Sequence, residues 1–434
     1  MNAGAPLQTN FPMKPLRFLA PLRGEKVDAV PPNGEYLGLE QFESWSGHLS
    51  GIEGQAPPEG GANVFLPGDV LFGKLRPYLA KGWAADRDGF CTTEALVLAP
   101  KDADARFVRY CLLTHEVVSA VDSSTYGSRM PRADWGFIGA LPFPSPARSL
   151  QERIANFLDE RTVRIDALIA EKSELVAALT EYQYSYSSRL MTRGMDERVP
   201  CKTTSFPEIG EVPAHWVVKR LKFLGAVRSG VAKGKDLGDK ETVTLPYLRV
   251  ANVQNGHVDL TEVSEIEVSA SEAKRYLLRR CDVLMNEGGD NDKLGRGAVW
   301  QAQIEPCIHQ NHVFVVRLDD SALAEWVSRF TGTDAARAYF FLRSKQSTNL
   351  ASINQSDVRE LPVPLPPEAE RLAVFAEIQR MTQTTTDLVT HALAHVDRLH
   401  EYRSSLISAA VTGQIDLKTS TAPGTQLERE SESR

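Results

Sequence analysis

The residues of this chain whose types could do chemistry fall into a few short stretches. Gly230-Val231-Ala232-Lys233-Gly234-Lys235-Asp236 approaches the glycine-rich loop whose backbone amides cradle phosphates. It is one residue short of that loop and offers no hydroxyl to magnesium, so it reads as an ordinary flexible loop. Gly288-Gly289 and Gly295-Arg296-Gly297 lie between strand candidates. A dinucleotide or methyl donor needs its glycines between a strand and a helix. There is no aromatic-flanked N-P-P motif for amino methylation. Cys307, His309 and His312 have the chemistry of zinc ligands, but a closed site wants four, and on a strand 309 and 312 point to opposite faces. Packing or hydrogen bonding is their expected role. Asp290 and Asp292 lack the third acid and the lysine at nuclease spacing. These residues predict a protein that binds and does not catalyse.

Binding chemistry is better represented. Phe72-Gly73-Lys74-Leu75-Arg76-Pro77-Tyr78-Leu79-Ala80-Lys81 places cations and an aromatic directly after a strand candidate. Arginine fits the O6/N7 edge of guanine, lysine suits phosphate and tyrosine packs on a sugar. Asn286-Glu287-Gly288-Gly289-Asp290-Asn291-Asp292-Lys293-Leu294-Gly295-Arg296-Gly297 stands at the matching place in the second half. Its glycines let backbone approach a ligand, and asparagine pairs with an adenine edge. Two further polar loops precede proline runs: Tyr126-Gly127-Ser128-Arg129-Met130-Pro131-Arg132 and Lys345-Gln346-Ser347-Thr348-Asn349. The candidate DNA contacts are therefore Lys74, Arg76, Tyr78, Lys81, Ser128, Arg129 and Arg132 in the first half, and Asn286, Lys293, Arg296 and Lys345 in the second. The bland alternative for each loop is a solvated hairpin. His309-Gln310-Asn311-His312 is a polar run entering an apolar strand, for which a structural role is expected.

The whole chain constrains what those loops belong to. Its 434 residues allow two to four domains, and a net charge of −7 without a basic segment excludes a generic polyanion coat. Any contact with nucleic acid must come from local clusters. The five cysteines form no C-x-x-C pair, as expected of a reduced cytoplasm. No apolar run reaches 18 residues and no export signal is evident, so a cytoplasmic chain without a membrane partner is expected.

The elements that must position the loops are two long helices and two similar lobes. After Leu141-Pro142-Phe143-Pro144-Ser145-Pro146, no proline or glycine interrupts the helix candidate from Leu150 until Gly194. Reading by sevens, one seam carries Leu158, Ile165, Lys172, Leu179 and Tyr186. A partner seam three residues on carries Arg161, Leu168, Leu175, Tyr182 and Arg189. A second proline run, Leu361-Pro362-Val363-Pro364-Leu365-Pro366-Pro367, opens a second helix with Phe375, Ile378, Val389, Ala392, Val396, Leu399 and Leu406 at heptad spacing. Glu370-Arg371-Leu372-Ala373 matches Glu152-Arg153-Ile154-Ala155. Other pairs keep the same order: Leu16-Arg17-Phe18-Leu19 with Leu221-Lys222-Phe223-Leu224, Gly68-Asp69-Val70-Leu71-Phe72 with Cys281-Asp282-Val283-Leu284-Met285, and Thr93 to Leu98 with residues 311–316. The reading is a tandem duplication: an α+β chain of two tandem mixed α/β domains, pseudo-twofold related and separated by two long antiparallel coiled-coil helices. Its divisions are 1–148 and 197–367 for the domains, 149–196 and 368–417 for the helices, and a disordered tail at 418–434. Residues 1–12 read as a loose arm, and 106–121 as one helix.

These stretches together resemble the specificity subunit of type I restriction-modification systems. The likeness rests on residues 68–79, on Leu141-Pro142-Phe143-Pro144 with Gln151-Glu152-Arg153-Ile154-Ala155, on 286–297 with His309-Gln310-Asn311-His312-Val313-Phe314, and on Ala410-Val411-Thr412-Gly413-Gln414-Ile415-Asp416. It spans about 14–417. The resemblance implies a non-catalytic protein whose two domains are target-recognition domains, each reading half of a bipartite double-stranded DNA site. It implies helices that hold the domains apart and dock two copies of a DNA adenine methyltransferase subunit, with Leu158, Ile165, Leu168, Leu175, Leu179, Phe375, Val389, Val396 and Leu399 as the docking set. S-adenosylmethionine, and ATP and magnesium in the full complex, would be bound by partners, including a motor-nuclease subunit; no cofactor or metal is expected on this chain. The second proline run departs from the family pattern in lacking a glutamine where Gln151 stands. Alternatives are a methyltransferase-only complex, an autonomous enzyme with unfamiliar motifs, or a coiled-coil scaffold with no DNA role.

Overall fold

The computed structural model describes residues 7–51, 60–127, 129–234, 238, 241–289, 294–346 and 351–415. Ser128, Lys293, Asp290, Asp292 and the 418–434 tail lie outside them. The chain forms two compact units, Met1–Glu174 with Ala392–Arg434, and Leu175–His391. Each contains one lobe and a portion of both long helices.

In the first unit the central strand is Val70–Gly73, flanked antiparallel by Gly82–Ala84 and Ala95–Leu98. Its side chains alternate between two cores. Val70 and Phe72 pack with Phe107, Val117 and Leu158, while Leu71 packs with Leu37, Phe65 and Trp83 beneath a second sheet. A strand covered on both faces reads in sequence as an unbroken apolar run, because neither side can be polar. The second unit repeats this device. Val283 and Met285 pack with Trp326 and Phe330, and Leu284 packs with Leu248 and Trp300.

Both central strands open with the same turn. Asp69 accepts from the Leu66 amide at 2.8 Å and from Arg23 at 2.6 and 2.9 Å. Asp282 accepts from the Arg279 amide at 2.7 Å and from Arg317 at 2.8 and 2.6 Å. Both carboxylates are buried. The residue before each has a left-handed backbone, Gly68 at φ 87° and Cys281 at φ 69°. Glycine takes that conformation freely, so the cysteine is held there by its surroundings.

The proline runs are strands. Pro142–Pro144 pairs antiparallel with Met13–Pro15, and Pro362–Leu365 with Val217–Arg220. Proline offers no amide, so it suits such two-stranded edges. The short helical turns that come after the entry strands are tied back identically, Leu16 N to Leu141 O at 2.9 Å and Leu221 N to Leu361 O at 2.8 Å.

The central helix runs Arg148–Arg193 and the C-terminal helix Glu368–Val411. In the first unit Asp166 of the former pairs with Arg403 of the latter at 2.8 Å. In the second unit Gln183 meets Thr382 and Tyr186 meets Glu377, so the two segments there run antiparallel. Burial along the central helix corrects the expected seams. Leu158 and Ile165 are buried and Lys172, Leu179 and Tyr186 half-buried, but the companion positions lie four residues on, at Thr162, Ile169, Val176, Gln183 and Leu190. Alternating steps of four and three define one coiled-coil face, and a seam three residues after the first position rotates off it. Leu168, Leu175 and Tyr182 accordingly face outward, 44%, 43% and 51% exposed.

The correspondence between helices also needs correcting. The bonds to Leu141 and Leu361 fix an offset of 220, and Gln151 N to Ala147 O is matched by Arg371 N to Pro367 O. Buried Gln151, Ile154 and Leu158 therefore answer to buried Arg371, Val374 and Ile378, whereas Leu372 is 59% exposed. The position of Gln151 is held by Arg371. Two other expectations fail. Residues 106–121 form two helices, Ala105–Leu112 and His115–Ser123, because the Thr114 hydroxyl closes the first by donating to Cys111 O at 2.9 Å. The described part of the N-terminal arm is docked: Leu7 is buried, and Asn10 N and the Thr9 hydroxyl both donate to Thr412 O.

Candidate nucleic-acid interface

In the first unit the loop after the central strand is laced to the loop at 126–132. Leu75 bridges Arg132, Tyr126 bridges Arg132, Arg76 N donates to Pro131 O at 2.8 Å and Ala133 N to Lys74 O at 2.9 Å. Lys74 N in turn donates to Glu94 O. The backbone turns sharply here, with Arg76 at φ 51° and Ala80 at φ 45° bracketing the turn Pro77–Leu79. Two stretches distant in sequence thus form one surface.

The side chains on that surface divide by what they already hold. Arg76 and Arg129 are exposed and have no carboxylate partner among the described residues. Tyr78 is 45% exposed, and beside them stand Tyr126 and Met130, exposed apolar groups that charge-based reasoning passed over. Lys74 is half-buried. Arg132 pairs with Glu94 at 2.9 Å. Lys81 is turned inward, its ammonium donating to Leu39 O at 2.6 Å, and burial pulls its pKa down. Its hydrogen bond serves the fold.

The second unit laces its loops by a small sheet. Gly288–Gly289 pairs with Ala351–Ser352, which pairs with Lys345–Gln346. A Cβ on Gly288 would stand 2.9 Å from Ala351 O, so this pairing requires the glycine. Asn286, expected to read a base, is fully buried instead. It donates to Val253 O at 3.0 Å, and Arg296 donates to the same carbonyl at 3.0 Å. Both anchor the base of the loop to the turn after Leu248. Glu287 faces His312 at 2.5 Å. Lys345 is exposed on the outer strand.

Sequence reasoning missed a second basic recess in this unit, a cavity of about 490 Å³ lined by Arg228, Ser229, Arg275, Tyr276 and Gln355. Arg228 and Arg275 are exposed. They are far apart in sequence, and only the sheet and the helix Ala270–Tyr276 bring them together.

The polar run 309–312 leaves a strand at His309 and ends in a turn ahead of the strand that begins at Val313, so the two histidines do not share one strand. His309 is buried, with Nδ1 donating to Val313 O at 2.8 Å, and burial pushes its pKa down to about 4. It is neutral and structural, as expected. No group of three or more potential metal ligands occurs among the described residues. No helix among them is long and apolar enough to cross a membrane.

No protein-family profile matches the chain. It is 25% identical over 283 residues to the type I restriction enzyme EcoKI specificity subunit of Escherichia coli, covering 63% of this chain and 58% of that protein. It is 24% identical over 167 residues to the putative type I restriction enzyme MjaX specificity subunit of Methanocaldococcus jannaschii, covering 38% and 39%. The matched stretch thus spans less than two thirds of these curated relatives. In fold it is similar to a chain solved in work on complex assembly and conformational transition of the type I R-M system, with TM-score 0.65, 17% identity, and coverage of 94% and 99%. It is also similar to the HsdS subunit of Thermoanaerobacter tengcongensis, with TM-score 0.51, 16% identity, and coverage of 94% and 98%. The chain has the fold of an HsdS subunit, and its curated homologues are type I restriction enzyme specificity subunits.

Proposed function

We propose that this chain is the non-catalytic subunit that reads a bipartite site on double-stranded DNA and directs adenine methylation, and cleavage, by partner subunits. The observation that carries this reading is the lacing of two loops into one exposed surface in each unit. In the first unit that surface presents Arg76, Arg129 and Tyr78, with no ion pair to the two cations among the described residues. Exposed arginines beside an aromatic suit a groove edge and its phosphates. On a chain of net charge −7, such local cations are where a polyanion would dock. In the second unit Lys345 and the Arg228/Arg275 recess take the same part. The two lobes read one half-site each. The long helices set the spacing between half-sites and, through their outward apolar residues, dock two copies of the methyltransferase subunit. S-adenosylmethionine, ATP and magnesium belong to those partners.

The test is to express the chain with its methyltransferase partner and sequence methylated adenines in the host. A motif of two short specified blocks separated by unspecified bases is expected, and Arg76→Ala or Arg129→Ala should relax one block only. Methylation at a single continuous motif, or none that depends on this chain, would refute the reading.

A further inference from the structure

The loop at 126–132 in the first unit is a hairpin held at both ends. Tyr126 N donates to Arg132 O at 3.2 Å, and Arg132 N donates to Tyr126 O at 3.1 Å. Gly127 makes the turn with φ 92°, and a Cβ on it would stand 3.3 Å from Met130 O. Pro131 O accepts from Arg76 N at 2.8 Å, which fixes the hairpin to the loop after the central strand. All of these are backbone bonds, so the pairing survives a change of side chain. Tyr126 is nonetheless 65% exposed and Met130 46% exposed, and neither belongs to an apolar core of the unit.

Single exposed apolar residues are common and call for no explanation. Here two of them share one fixed hairpin, with Arg129 between them in sequence and Arg76 bonded to its far arm. Both are unfavourably hydrated in the free chain and gain when an apolar group covers them. Methionine has no donor and only a weak acceptor, so it cannot read the hydrogen-bonding pattern of a base edge. Given the DNA-reading role proposed above for this surface, the base-edge group that matches is the C5-methyl of thymine. That methyl stands in the major groove and has no counterpart in the minor one. The flanking arginines suit the phosphates or a guanine edge beside it.

We infer that Tyr126 and Met130 form the apolar contact that reads a thymine methyl in the half-site of the first unit. The pair adds to the arginines a kind of discrimination that cations cannot supply, since thymine differs from uracil by the methyl alone.

The probe is a duplex carrying the methylated motif, with each thymine of either block replaced in turn by deoxyuridine. Deoxyuridine pairs with adenine as thymine does and lacks only the methyl. Each block's methylated adenine faces a thymine, so there is always a position to test. Competition binding, with the chain in complex with its methyltransferase partner, should show about a fourfold weaker affinity for at least one deoxyuridine duplex, the contribution of one buried methyl-sized group. Tyr126→Ala combined with Met130→Ala should bind that duplex and its thymine form alike. Tyr126→Phe combined with Met130→Leu keeps the apolar surface and should retain the difference. Thermal melting of both double variants should match that of the unaltered chain. The inference is overturned if the unaltered complex binds every deoxyuridine duplex as tightly as the thymine form, or if the difference survives in the double alanine variant. It is also overturned if that variant weakens equally on the motif and on a scrambled duplex, which would place the pair on the sugars. An unaltered complex with no preference for its motif over a scrambled duplex would instead refute the DNA-reading role itself.

Discussion

The outward seam of the central helix gives the sharpest test of partner docking. Leu168 and Leu175 are 44% and 43% exposed, one heptad apart on an uninterrupted helix, whereas Leu158 on the inward face is fully buried. Burying a whole leucine side chain contributes about 1.5–3 kcal/mol. A residue with somewhat under half its surface free can gain that fraction again when a partner covers it, about 0.6–1.3 kcal/mol each. Replacing both by alanine should therefore cost about 1.3–2.6 kcal/mol of association, or roughly ten- to eightyfold in Kd. The chain's own stability should barely move, since exposed substitutions typically stay within ~0.5 kcal/mol. Leu158→Ala is the control of opposite character, destabilising the fold by about 2–5 kcal/mol. Calorimetric titration of the methyltransferase subunit into each variant, alongside urea melts of the variants alone, separates the two effects. If the double variant binds the methyltransferase as tightly as the parent does, the outward seam is not the docking face and the proposed contact is wrong.

The geometry carries three further expected outcomes. Asp282→Ala strands Arg317, whose side chain is 22% exposed, and should destabilise the second unit by about 3 kcal/mol, the low end of the ~3–5 kcal/mol for breaking a buried pair; a urea-derived loss below about 1 kcal/mol would show the pair to be dispensable. His309 has its pKa pushed down by burial to about 4, against about 6.5 unfolded. The unfolded chain therefore binds the extra proton, and stability present above about pH 6.5 is lost as pH falls toward about 4. His309→Asn should flatten that part of the pH profile, and an unchanged slope would exclude the histidine as its source. If Arg76 reads a base, Arg76→Ala should cost about 1–3 kcal/mol on the cognate site alone, while equal loss on every sequence with a shallower salt dependence would make it a phosphate contact.

Much of the fold was legible because its signals are local. The central strands announce themselves as apolar runs, and the proline runs mark the helix starts closely. Three things were hidden for physical reasons. The companion seam was misplaced because Thr162 and Gln183 interrupt the inward row of Ile169, Val176 and Leu190, leaving it no more apolar in composition than the outward row of Leu168, Leu175 and Tyr182. The Gln151/Arg371 correspondence was masked by a chance Glu-Arg match out of register, which only the backbone bonds at Leu141 and Leu361 could correct. In the recognition loops, residue type did not reveal direction. Asn286 and Lys81 look like surface donors in sequence, yet both spend their hydrogen bonds on backbone carbonyls inside the fold. The recess at Arg228 and Arg275 left no linear signal at all, since it exists only once distant segments meet.

The spacing role proposed for the helices can be tested without altering either recognition surface, provided the deletion respects the stripe. Removing four residues rotates the downstream part of the helix by about 40° beyond a full turn and moves it about 6 Å, which swings inward residues off the helix–helix seam. Removing seven residues from each helix leaves the heptad phase within about 20° and shortens the pair by roughly 10.5 Å. At about 3.4 Å per base pair, the unspecified gap in the methylated motif should contract by about three base pairs, with both specified blocks unchanged. The cut in the central helix should spare Leu168 and Leu175, the outward residues proposed to dock the methyltransferase whose product reports the motif. A seven-residue deletion that folds, methylates and keeps the parental gap would show that something other than helix length fixes the distance between half-sites.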